Sequence, residues 1–109
     1  MSEFLSNLAS LASVDHLAAL ELYDQDFLLT RIENKPGSAG SVRVYHALAQ
    51  QFGAINRAAA EAGLAIYAEH TADAEKNPGK HPNIDRLFTL LAQTEAEPAR
   101  AYRVQLIPA

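Results

Sequence analysis

Cysteine is missing from all 109 residues, which removes disulfide staples, thiolate nucleophiles and Cys-ligated zinc together. That composition is compatible with a reducing compartment. Long apolar runs are missing too, and no stretch approaches the ~20 residues that a bilayer-spanning helix needs. The opening MSEFLSNLASLAS has no Lys or Arg and carries Glu3, the reverse of a secretory n-region. A cytoplasmic protein with no membrane partner is expected. Basic residues are absent from positions 1–30, where Glu3, Asp15, Glu21, Asp24 and Asp26 stand without a counter-charge. The nine cations are scattered from Arg31 to Arg103 with no cluster of five or six and no aromatic interleaving of the kind that stacks bases, and the net charge is −4. Nucleic acid is therefore not an expected partner.

What remains is ordinary globular material: 49% hydrophobic and 20% charged residues, enough chain for one domain over 1–109 that buries roughly two thirds of its unfolded surface. Behind Ser2, a natural N-cap, the positions Phe4, Leu5, Leu8, Leu11 and Ala12 have helical spacing. Ala18 to Tyr23 and Phe27 to Glu33 alternate in hydropathy around Asp24, Gln25 and Asp26, which predicts a β-hairpin. Ser41 is placed to cap a helix over Val42 to Phe52, with Gly53 as its C-terminal stop. Ala54 to Ala62 reads as a further helix interrupted by Gly63. Leu64 to Lys76 fits either period, with Leu64, Tyr67, Thr71 and Ala74 on a helix or Leu64, Ile66 and Ala68 on a strand. Helix is preferred, because a strand would strand the good helix formers that follow in a loop of about a dozen residues. Asn83 to Gln93 predicts another helix, and Tyr102, Val104 and Leu106 alternate as a closing strand before Pro108. The expected fold is α+β: an N-terminal helix, a hairpin, three to four helices, and a C-terminal strand antiparallel to the hairpin.

Two loops share one design. ENKPG at Glu33 to Gly37 and EKNPG at Glu75 to Gly79 are followed, at a common offset of 42, by Ser41 or Asn83, Val42 or Ile84, Tyr45 or Leu87, and Leu48 or Leu90. Each reads as a Pro-Gly turn, a short spacer, a cap and an apolar helix face. The segments before the two loops do not match, so this is not a full internal repeat. Simple helix initiation accounts for both loops. An anion site is the functional alternative, since a helix N-terminus presents free amides and partial positive charge. Asp85 stands ready to satisfy those donors in the second loop, whereas no acid follows Ser41. The candidate anion set is therefore Lys35, Ser38, Gly40, Ser41 and Arg43. The loop lacks the Gly-Lys-Ser or Gly-Lys-Thr ending of a P-loop. PGSAG approaches a nucleophile elbow, but its first glycine is missing and the chain is too short for that hydrolase fold, so Ser38 is not read as a catalytic serine.

For acid/base or metal chemistry the chain offers His70 and Asp73 at i and i+3, His81 in the following loop and Glu69 as a base. No His-Glu-x-x-His motif is present, and no cofactor or metal is implied. His46, after Tyr45 on the apolar stripe, reads as a core or interface residue, and His16 carries no signal.

The segments IENKPGSAGSVRVYHALAQQFG and YAEHTADAEKNPGKHPNIDRL resemble a family of short bacterial proteins grouped only as a domain of unknown function. That resemblance spans nearly the whole chain and implies a stand-alone bacterial protein. It supplies no activity, cofactor or residue role. The expected function is a non-enzymatic binding or protein-interaction module, with self-association through an exposed hairpin edge as its simplest form. The alternative is a small metal-assisted or acid/base enzyme using His70, Asp73 and His81.

Overall fold

A computed structural model describes residues 2–109. The Ser2 hydroxyl accepts the Leu5 amide at 3.3 Å and opens helix α1 (Glu3–Ala9) as its N-cap. The alternating segments that follow form β1 (Leu17–Asp24) and β2 (Phe27–Glu33), paired antiparallel with Leu20 opposite Ile32 and Leu22 opposite Thr30. Their turn is two residues long and places Gln25 at φ +57, in the left-handed region that such tight hairpins require.

The last strand, β3 (Arg103–Pro108), lies antiparallel on the far side of β1, so the sheet order is β2-β1-β3. β1 is thus the central strand, which accounts for the burial of Leu17, Ala19, Leu20 and Leu22. One sheet face meets the helices. The other is polar: Arg31 bridges Glu21 at 3.3 Å and Glu33 at 2.9 Å, and Arg103 lies 4.4 Å over the Tyr23 ring.

Between hairpin and final strand stand four helices: α2 (Ala39–Phe52), α3 (Arg57–Tyr67), α4 (Glu69–Lys76) and α5 (Pro82–Ala96). α2 stops at Gly53 as expected, but it begins before Ser41. Ser38 occupies the cap position, its hydroxyl donating to the Glu33 carbonyl at 2.5 Å, so Ser41 falls inside the first turn. Likewise α5 starts at Pro82, ahead of Asn83, because proline is pre-organised for a first helical position.

Gly63 does not interrupt the chain. α3 runs through it to Tyr67, and a Cβ there would meet Leu87 Cδ1 at 2.8 Å and Leu48 Cδ1 at 3.0 Å. The glycine is a close-crossing position that lets α3 nestle against α2 and α5. The break comes instead at Ala68, whose φ of +52 and ψ of −116 separate α3 from α4. Thr71 spans that kink by donating to the Leu64 carbonyl at 2.6 Å. Leu64 to Lys76 is accordingly helical, in two pieces. Leu48, Leu87, Leu90, Tyr45 and Tyr102 fill the space between the helices and the inner sheet face.

Candidate functional site

The two Pro-Gly loops, 42 residues apart in sequence, face each other. Gly37 and Gly79 take matching left-handed turns, with φ +97 and +92. Because α2 and α5 both pack on α3, their N-terminal loops end on the same side of the molecule. A direct lock holds them together: the Tyr45 hydroxyl on α2 donates to the Asn83 carbonyl at 2.5 Å, and Arg86 Nη1 donates to Asn83 Oδ1 at 2.9 Å and to Tyr45 Oη at 3.3 Å. Between the loops lies a cleft of about 520 Å³. Gly37, Ser38, Gly40 and Ser41 line one wall; Lys80, His81, Pro82 and Asn83 line the other.

Aromatic side chains form the rest of the lining. Tyr67 is buried and donates its hydroxyl to Ser41 Oγ at 2.7 Å; burial pushes its ionisation upward. Phe4 stacks on Tyr67 at 5.2 Å between ring centroids, and His70 meets Phe4 edge-on at 5.0 Å. The His70 and His81 rings are 5.6 Å apart.

Asp73 sits behind this wall. Its Oδ2 receives His81 Nε2 at 2.6 Å and Lys80 Nζ at 2.9 Å, while Oδ1 accepts from Asn77 at 3.0 Å. The hydrogen bond from His81, then that from Lys80, holds its carboxyl down to about 2. One carboxylate thus organises the second Pro-Gly loop from the end of α4.

The two residue sets drawn from the sequence are partly merged and partly dispersed. Ser38, Gly40 and Ser41 face His70 and His81 across one cleft. Lys35 is exposed and does not line it. Arg43 turns the other way, donating to the backbone carbonyls of Leu11 at 2.5 Å and Ala12 at 3.1 Å, and so fastens the segment between α1 and β1. Glu69 is engaged at the start of α1, where it accepts the Phe4 amide at 2.9 Å and the Ser2 hydroxyl; the Ser2 contact is the chief reason its carboxyl is held low. Asp85 satisfies the Gly79 amide at 2.9 Å, a donor of the loop before its helix. Among the described residues no three His, Cys, Asp or Glu side chains are grouped to hold a metal ion.

His46 is a core residue, with 3% exposure and its ring 5.8 Å from that of His16; burial, then the neighbouring His16, lowers its ionisation. Sequence reasoning missed Phe4, Tyr67, Lys80 and Asn83 as cleft residues. The first two read as plain apolar positions, and only the shared spacing of the loops hinted at the others.

A family model described as "Uncharacterized protein conserved in bacteria (DUF2322)" matches residues 4–101. The chain belongs to that family. The matched span includes both Pro-Gly loops and all the lining of the cleft. No curated protein and no solved structure matches the chain. No helix among the described residues is long and apolar enough to cross a membrane.

Proposed function

We propose that this is a small binding module, working in the cytoplasm, whose cleft takes a small molecule bearing a phosphate or carboxylate group. The convergence of both Pro-Gly loops on one cleft supports this reading above all else. The first turn of α2 has no acidic side chain, and the Gly40 and Ser41 amides lie where a helix has no carbonyl partners to offer. Gly37 leaves the backbone open to close approach, with nothing within 4 Å of where a Cβ would stand. Lys80 adds a cation at the opposite rim. Since Lys80 is 61% exposed, its contribution is screened by salt and affinity for a bare anion falls in the millimolar range. Titrating inorganic phosphate while following amide chemical shifts tests the reading. Gly37 to Ser41 and Lys80, His81 and Asn83 move together along one saturating curve. Unmoved amides up to tens of millimolar phosphate would reduce both loops to helix starts.

A second reading concerns partners. β2 is an edge strand whose Phe27, Leu28 and Leu29 are 70%, 45% and 37% exposed, and an uncovered apolar edge invites pairing with another copy of the chain. Light scattering at micromolar concentration distinguishes a dimer from a monomer, and a strict monomer removes the reading.

A further inference from the structure

We propose that His81 accepts a proton at Nδ1 when an oxyanion fills the cleft, so that ligand and proton bind together. The inference rests on the binding reading above and deepens it. It is carried by the contact between Asp73 Oδ2 and His81 Nε2 at 2.6 Å. An ionised carboxylate can only accept at that distance, so Nε2 bears the hydrogen, and the free lone pair of a neutral ring is on Nδ1. No hydrogen bond among the described residues engages Nδ1, and the ring lines the cleft with its side chain 23% exposed. This is the arrangement of a base held in one tautomer by a carboxylate behind it.

The surrounding charges set the direction. From α4 come Asp73 and the His70 ring, from the loop Lys80, and from α5 Asp85, already bound to the Gly79 amide, and Arg86, bound to Asn83 and Tyr45. α1 contributes Phe4 and the α2 loop contributes Ser38 and Ser41, all uncharged. With the cleft empty, Asp73 divides its charge between His81 and Lys80. An oxyanion supplies the missing negative charge next to Nδ1, so an imidazolium forms between two anions. The proton comes from solvent and forms the Nδ1–H bond; no other covalent bond changes. The same group would serve as acid or base toward a bound molecule with a titrating hydroxyl.

Sulfate is the appropriate first probe, because it keeps its double charge across the range from about pH 6 to 8.5 in which an imidazole titrates. Acetate forms a second arm that separates a carboxylate site from a tetrahedral oxyanion site. In the wild-type protein, sulfate binding weakens as pH rises, with a limiting slope of about tenfold per pH unit for one linked proton. Ring ¹⁵N spectra at sulfate saturation show Nδ1 of His81 acquiring a hydrogen while Nε2 keeps its own. His81→Gln flattens the pH dependence, and His70→Gln preserves it. If neither sulfate nor acetate binds, the binding reading and the proton linkage fall together. If an anion binds with no pH dependence, with Nδ1 bare, or with the slope intact in His81→Gln, the binding reading stands and the linkage is overturned. The ring spectra use the unmodified protein, so a variant that misfolds does not spare the proposal.

Discussion

Replacing Gly63 by alanine sets two opposed effects against each other. In a helix interior, alanine is favoured over glycine by about 1 kcal/mol, and by that measure α3 should gain. The added methyl, however, would stand 2.8 Å from Leu87 Cδ1 and 3.0 Å from Leu48 Cδ1. Terminal methyls of leucine usually swing aside at little cost, but Leu87 and Leu48 are 0% and 1% exposed and are packed on every side. Forcing an extra carbon into such a site costs about 1–3 kcal/mol. The steric cost therefore exceeds the propensity gain, and Gly63→Ala is expected to lose about 1 kcal/mol net, or about 4–8 °C in Tm for a chain of this size. Urea unfolding gives the free energy, through the midpoint at constant slope. A double-mutant cycle with Leu87→Ala locates the cause. That truncation alone costs about 2–5 kcal/mol, and in the Gly63→Ala background it should cost at least about 0.5 kcal/mol less, since the clashing methyl is gone. A Gly63→Ala protein that melts above the wild type, or a cycle with zero coupling, would refute the claim that this glycine is there for the helix crossing.

Arg43→Ala removes two hydrogen bonds to the Leu11 and Ala12 carbonyls and is expected to cost about 1 kcal/mol by chemical denaturation, while the sulfate titration stays unchanged because the guanidinium faces away from the cleft. At alkaline pH, buried Tyr45, pushed up to about 12, and Tyr67, also raised, hold protons that the unfolded chain releases above about 10. Stability is full below that pH and then falls by about 1.4 kcal/mol per pH unit for each tyrosine, measurable as the urea midpoint between about pH 9 and 11; Tyr45→Phe lowers the slope. Asp73 behaves in the opposite sense: with its carboxyl held down to about 2, its stabilising contacts are complete above the ordinary carboxylate range and are lost as pH falls toward 2, so Asp73→Asn shows a shallower acid transition by circular dichroism. Ala68→Gly relieves a left-handed φ of +52 and is expected to raise stability by about 1 kcal/mol, seen as a higher melting temperature.

Much of the architecture was legible in local pattern. The hairpin, α2, α5 and the closing strand each combine a clear hydrophobic period with a turn or a stop, and each appears within a few residues of its expected bounds. What misled was residue identity without tertiary context. Gly63 has the composition of a helix stop, yet its lack of a side chain serves the neighbouring leucines. Ala68, the residue that breaks the chain direction, is the commonest kind of helix former. Arg43 looked available for an anion because its true partners are backbone carbonyls some thirty residues earlier, which leave no side-chain signature. The shared spacing of the Pro-Gly loops was visible, but their meeting depends on how α2 and α5 lie across α3, and no short-range pattern encodes a crossing. The i and i+3 spacing of His70 and Asp73, with His81 in the next loop, already allows that loop to fold back beside them, and His81 does reach Asp73; that Lys80 shares the same carboxylate left no mark in the spacing.

The central position of β1 also has a kinetic consequence. Helices α2 to α5 find partners close by in sequence, whereas β1 meets β3 only when Leu17 and Pro108 come together, a closure of roughly ninety residues whose entropy must be lost before the ladder rewards it. Docking of β3 is therefore expected late in folding. Until then the hairpin exposes a second bare edge, with Leu20 and Leu22 deprived of the neighbours Leu106 and Val104 that complete their side of the sheet. During that interval another chain's strand competes for the place reserved for β3. Refolding yield should accordingly depend on protein concentration more steeply than on final stability, and a short peptide of sequence YRVQLIP, offered in excess, should lower it by occupying the open edge of β1.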